Sequence, residues 1–296
     1  MNTEMAAKIR SGQGFIAALD QSGGSTPKAL RLYGVDEKAY ANDAEMFDLV
    51  HDMRKRIIKS PSFVGNKVIG AILFEMTMDR DIDGIPTAEY LWTQKHVVPF
   101  LKIDKGLEAA ANDVKMMKSM PGLDDTLSRA KELGIFGTKE RSVIDAANAS
   151  GIADIVRQQF EIGYQVLSHG LMPILEPEIT ITIDDKAEAE AILRDEILTH
   201  LDKVPNDQQV MLKLSLPTVA NTYKTVIDHP RVMKVVALSG GYARNEANAL
   251  LAQNTGMIAS FSRGLSEGLN ADQSENDFDD MLCAAVNGIY EASIAG

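Results

Sequence analysis

Lys213 lies inside VMLKLSLP with apolar neighbours on both sides. An ammonium in such a strand loses solvation and its pKa falls, further still where Lys139 and Lys102 project into the same space. The resulting neutral amine attacks a ketone and forms a Schiff base. That imine needs a proton for the departing hydroxyl, and PILEPEI offers Glu176, whose carboxyl is expected to be raised in pKa by burial and by nearby Glu178. Blander readings are a lysine that snorkels to the rim and a glutamate that only neutralises Lys139 and Lys213. Asp20 ends one apolar run and begins DQSGGSTPK, where Gly23 and Gly24 let backbone approach a ligand and Ser22, Ser25 and Lys28 supply donors suited to phosphate. A second such loop holds Ser239, Gly240 and Gly241, and Arg263 closes the last apolar run.

These residues fall at the ends of eight strand-length apolar runs: 14–19, 68–75, 97–104, 134–139, 171–179, 209–215, 232–241 and 256–263. Near-continuous apolar cores predict parallel strands covered on both faces. Amphipathic segments alternate with them: one opened by Asp43 through residue 59, one opened by Asp184 and Asp185, and others at 145–168, 217–228, 244–253 and 275–292. Eight alternations match a (β/α)₈ barrel of ~250 residues or slightly more, with helix-containing insertions such as 81–95 and no break dividing the domain 1–296. A doubly wound open sheet is the main rival. In a barrel the site forms at the C-terminal strand ends. Those ends carry Asp20, Glu75, Lys102 with Asp104, Lys139 with Arg141, Glu176 with Glu178, Lys213 and Arg263. Side-chain alternation puts each of these pairs on one face, pointing into the mouth. Buried charges are costly, so the set is either functional or a ring of salt bridges closing the mouth. Barrel phosphate sites often use the seventh and eighth loops, which here hold Ser239 and Arg263.

Composition removes other classes. Lys plus Arg number 30 against 42 Asp plus Glu, a net charge of -12 that repels a polyanionic backbone, so nucleic acid is not expected as a partner. No stretch approaches the ~20 apolar residues of a membrane span and the N-terminus lacks a leader pattern, so a cytoplasmic protein is expected. The single cysteine, Cys283, sits in MLCAAV and reads as a buried structural thiol. Gly12, Gly14 and Ala17 match G-x-G-x-x-A, but the glycines precede the first strand, where a dinucleotide loop cannot form. The five histidines show no metal-ligand spacing and fall away from the charged strand ends. No metal or cofactor is expected; a magnesium site built from carboxylates is left open but has no dedicated motif.

Taken in order, FIAALDQSGGSTPKAL, ILFE, VPFLKIDKG, FGTKERS, PILEPEI, VMLKLSLP, LSGGYAR and ASFSRGL resemble the class I fructose-1,6-bisphosphate aldolases, specifically their short bacterial branch. The resemblance covers nearly the whole chain. It implies a (β/α)₈ barrel and metal-independent, reversible cleavage of fructose 1,6-bisphosphate to dihydroxyacetone phosphate and glyceraldehyde 3-phosphate in glycolysis and gluconeogenesis. Carried over by motif, the Schiff-base lysine falls on Lys213, the acid/base glutamate on Glu176 and the aspartate at the C4 hydroxyl on Asp20. Lys139, Lys102 and Glu178 support them, with Arg141 just beyond the fourth strand. Ser22 and Ser25 match the first-loop serines, and Ser239, Gly240 and Arg263 the C1-phosphate group. Three features depart from the animal enzymes: Leu214, Ser215 and Leu216 separate Lys213 from Pro217, the segment before Arg263 is shorter, and the chain stops at Gly296 soon after Tyr290. The enamine proton donor is therefore unassigned, and oligomeric state is open, a homo-oligomer included. The rivals are a Schiff-base lyase or transferase for another sugar phosphate, a metal-dependent lyase, and a barrel that binds sugar phosphates without turnover.

Overall fold

Strands apolar on both faces need cover on both, and a closed parallel barrel ringed by helices supplies it. A computed structural model describes residues 1–296. The barrel strands are β1 (Phe15–Leu19), β2 (Val68–Leu73), β3 (Val98–Lys102), β4 (Gly137–Ile144), β5 (Met172–Ile179), β6 (Val210–Ser215), β7 (Val232–Leu238) and β8 (Met257–Ala259). They pair in parallel in sequence order. The ring closes where the Ala18 N–H, on β1, donates to the Phe261 carbonyl just past β8 at 3.3 Å. This is the expected (β/α)₈ barrel and not the open sheet. No helix is long and apolar enough to cross a membrane.

Side-chain alternation divides the core in two. Phe15, Ala17 and Leu19 face the helices, whereas Ile16, Phe100, Ile174, Met211, Val236 and Ile258 fill the barrel, whose floor is capped by Met5 and Ile9 of helix Thr3–Ser11. The same inward register carries on toward the C-terminal ends. Two residues above Phe100 and Ile174 stand Lys102 and Glu176, and two above Met211 stands Lys213. Apolar floor and charged mouth are one pattern.

Several expectations need correction. Segment 217–228 forms only one turn, Lys224–Ile227. The β-branched Thr218, Val219 and Thr222 are poor helix formers, and Asn221 adopts the left-handed region at φ 66°. There it exchanges hydrogen bonds with Asn254 Oδ1 and the Thr255 N–H, both 2.8 Å. The fourth strand runs five residues past Lys139, because β5 pairs with it as far as Ile144 and Val114–Lys115 adds an antiparallel partner at its end. Arg141 is thus on β4, not beyond it. Helix Asp43–Lys59 opens with Asp43 in an acidic first turn, as expected, and its cap is the preceding Asn42, which accepts from the Glu45 N–H. Asp185 caps Lys186–Leu201 only by position; its side chain accepts the Ala147 N–H instead. Insertion 81–95 contains a helix as expected, Thr87–Lys95, preceded by a two-stranded hairpin turning at Asp83 and Gly84, both at positive φ. Cys283 is half-buried, beside the Asn287 amide, not fully buried.

Candidate active site

The C-terminal mouth holds a cavity of about 550 Å³, a size suited to a small ligand. Asp20, Lys102, Lys139, Glu176 and Lys213 reach it from five different strand ends, with Arg141 and Glu178 above them on β4 and β5. Ser22, Ser25, Lys28, Ser239, Gly240 and Arg263 form its rim. The charged and rim candidates other than Glu75 therefore line one cavity. Glu75 does not; it is held outside by Lys105 at 2.7 Å and Arg129 at 2.5 Å.

At the centre the charges form an alternating chain. Lys213 Nζ stands 3.0 Å from Glu176 Oε1, and Lys139 Nζ joins Glu176 Oε2 at 2.8 Å to Asp20 Oδ2 at 2.7 Å. All four residues are buried. Glu176 is the carboxylate that faces Lys213 directly. The expected rise in the Glu176 pKa is overturned. Burial pushes it up, but Lys139 and Lys213 outweigh burial and hold it below the usual carboxylate range. Glu178, invoked as a like-charge neighbour, pairs with Arg141. Asp20 is held well below its ordinary value for the same reason, burial being outweighed by Lys139 and then Lys213. Lys139, between two carboxylates, is held above the ordinary lysine value despite burial, so it is a fixed cation. Burial lowers Lys102, partly offset by Asp104 at 2.6 Å. Asp104 is a staple: it also accepts the Gly106 and Arg141 N–H groups.

The rim is built from loops. The Ser25 hydroxyl donates to the Ser22 carbonyl and accepts the Ser22 N–H, folding the first loop on itself. Gly240 sits at φ 60°, where a Cβ would lie 2.5 Å from Ile181 Cγ2. A Cβ on Gly241 would lie 3.7 Å from the Arg263 guanidinium, so the seventh and eighth loops meet. Tyr290 is not near the mouth; its ring lies under Lys67, which precedes β2 at the opposite end of the barrel.

Sequence reasoning missed the polar layer behind the strands. Thr138, Glu140 and Ser142 alternate with Lys139 and Arg141 and so face the helix Ala149–Ser168, where all three are buried. Its Gln159 donates to the Glu140 carbonyl at 3.1 Å and the Ser142 hydroxyl at 2.7 Å, and accepts the Glu176 N–H at 3.2 Å. Burial pushes the Glu140 carboxyl well above its ordinary pKa, and its Oε1 has no partner. Gln21, Arg54 and Ser262 were likewise missed.

Residues 2–225 match the sequence model of the family described as fructose-bisphosphate aldolase class-I. The chain is 54% identical over 294 residues to the fructose-bisphosphate aldolase class 1 of Porphyromonas gingivalis, which spans 99% of this chain and all of that relative. Its fold is similar to that of a fructose-bisphosphate aldolase from Plasmodium falciparum, solved in a ternary complex with TRAP and a small-molecule inhibitor. The TM-score is 0.80 over 99% of this chain and 93% of that one, at 20% identity.

Proposed function

The chain belongs to the class-I fructose-bisphosphate aldolase family, and from that premise we propose how its barrel mouth performs the family's reaction. The protein is a metal-independent carbon–carbon lyase that cleaves fructose 1,6-bisphosphate reversibly to dihydroxyacetone phosphate and glyceraldehyde 3-phosphate in glycolysis. We read residues 1–296 as one catalytic domain, working in the cytoplasm on its sugar phosphate.

The observation that carries the residue roles is the buried sequence Lys213, Glu176, Lys139, Asp20. As the ketone arrives, the proton of Lys213 passes across this 3.0 Å contact to Glu176, against the pull that keeps Glu176 ionised at rest. One transfer produces both the neutral amine and the carboxylic acid that the next step requires. The amine adds to the C2 ketone, and Glu176 returns the proton to the departing hydroxyl, leaving a protonated imine on Lys213. That cation draws in the C3–C4 bonding pair while Asp20 takes the C4 hydroxyl proton, and the aldehyde leaves. The enamine is then protonated at C3 and the imine hydrolysed. Lys139 keeps its charge throughout and holds developing oxyanions. Glu178 orients Arg141, which with Lys102 grips the substrate. Ser239, Gly240 and Arg263 take the C1 phosphate, and Ser22 and Ser25 add donors at the rim.

Borohydride reduction in the presence of dihydroxyacetone phosphate tests the covalent step. The expected result is a stable secondary amine, with the ligand's mass added to the peptide containing VMLKLSLP. Lys213→Ala should abolish both trapping and cleavage. An adduct confined to Lys102 or Lys139 would overturn the assignment of the nucleophile.

A further inference from the structure

Arg54, on helix Asp43–Lys59, is completely buried and forms no ion pair with any carboxylate. Its partners are neutral. Nη1 donates to Thr77 Oγ1 at 2.7 Å, and Nη2 donates to the Gln21 carbonyl at 2.5 Å and to Gln21 Oε1 at 3.2 Å. Nε has no partner. The Gln21 amide in turn donates to Ser262 Oγ at 2.7 Å. Thr77 follows β2, Gln21 follows β1 beside Asp20, and Ser262 follows β8 beside Arg263. One guanidinium thus spans the second loop and the first, and through Gln21 reaches the eighth.

A buried cation with only neutral partners is expensive, and an apolar side chain of similar volume would usually serve stability better. Burial depresses the Arg54 pKa to about 10, which still leaves it charged at neutral pH, with Asp20 the acidic group that offsets the cost. What a guanidinium adds over an apolar residue is a rigid planar fork that fixes several acceptors at once.

We propose that Arg54 is a positioning residue for the phosphate end of the mouth: through Gln21 and Ser262 it sets Arg263 against Asp20. Asp20 acts on the C4 hydroxyl and Arg263 holds the C1 phosphate, so the relay fixes the span between reacting bond and anchor. The inference rests on the reading of Arg263 as a phosphate ligand.

Gln21→Leu is the first test, because it cuts the relay while leaving Arg54 its bonds to the Gln21 carbonyl and Thr77. It should raise KM for fructose 1,6-bisphosphate about tenfold, with kcat and the borohydride trapping of unphosphorylated dihydroxyacetone changed less than twofold. Competition by fructose 6-phosphate, which lacks the C1 phosphate, should be unaffected. Arg54→Lys should act in the same sense, and the double variant should be no worse than the worse single one. Arg263→Ala, assayed alongside, separates the two claims. If it weakens phosphorylated and unphosphorylated ligands equally, the phosphate reading falls. If it discriminates between them and Gln21→Leu leaves KM unchanged, or lowers kcat and trapping alike, or adds to Arg54→Lys, the relay is overturned. Should Arg54→Lys fail to fold, Gln21→Leu alone decides.

Discussion

Glu140 and Glu176 lie on neighbouring strands, yet their environments drive them in opposite directions. Glu176 faces the amines of Lys139 and Lys213, which hold its pKa below the usual carboxylate range, whereas Glu140 faces a helix, finds only Thr138 Oγ1 at 3.1 Å, and is pushed well above that range by burial. For Glu140 the native state holds a proton that the unfolded chain releases above a pH of about 4.3. Its contribution is therefore fully present below that pH and is lost as pH rises toward the folded value. Glu140→Gln, neutral and isosteric, should accordingly stabilise the protein by about 1–2 kcal/mol near pH 8, or about 2–4 °C in Tm. At pH 3.5, below the unfolded value, it should do almost nothing. Thermal unfolding at the two pH values decides the matter, and an equal shift at both would mean that Glu140 is ionised in the fold. Turnover should survive, since no Glu140 atom reaches the mouth. The carboxylates were visible in the sequence but their pKa directions were not. Which ammonium each one meets depends on how the barrel closes, and the alternation of β4 sends Lys139 inward and Glu140 outward.

At the level of elements, the strands were the most legible feature, because full cover on both faces leaves an uninterrupted apolar run. Their inward alternation also made the site legible: Asp20, Lys102, Lys139, Glu176 and Lys213 each follow an apolar inward position by a simple count of two or are read off a strand end. Helices on the outside were less secure. Segment 217–228 carries apolar residues at helical spacing, but its β-branched residues and the left-handed Asn221 prevent more than one turn. Polar side chains that point inward from helices were hidden, since Gln159 looks locally like any solvated glutamine. Arg54 did leave a trace, lying four residues after Val50 and three before Ile57 on the apolar stripe. Loops raise a separate issue, because their backbone conformation rests on single residues. Gly240 has φ 60° and no room for a Cβ against Ile181. Gly240→Ala should cost about 1–2 kcal/mol of stability and raise KM for the bisphosphate several-fold as the seventh loop shifts from Arg263. Steady-state kinetics with denaturant unfolding would check both. An unchanged KM would show that the loop does not hold phosphate.

Across the whole molecule, two fields of opposite sign act on the substrate. The chain carries a net charge of -12, whereas the mouth gathers six cations (Lys28, Lys102, Lys139, Arg141, Lys213, Arg263) against four acids (Asp20, Asp104, Glu176, Glu178), a local excess of two positive charges. A bisphosphate brings about -3 to -4. In water each unit pair contributes about 0.2 kcal/mol at ~20 Å and about 0.8 kcal/mol at ~5 Å. The net charge includes the mouth, so the rest of the chain carries -14, and those distant charges rival the two near ones when nothing screens them. Screening breaks the tie. The Debye length falls from about 30 Å at 0.01 M salt to about 8 Å at 0.15 M, which removes the far repulsion and leaves contacts inside the mouth largely intact. We therefore expect kcat/KM for fructose 1,6-bisphosphate to rise about two- to fivefold over that range of ionic strength, and to fall only at higher salt as the mouth itself is screened. Stopped-flow or steady-state rates in an inert salt series would test this. A decline from the lowest salt upward would show that the cationic mouth already governs approach at long range, and that the acidic exterior is too far from the entry path to matter.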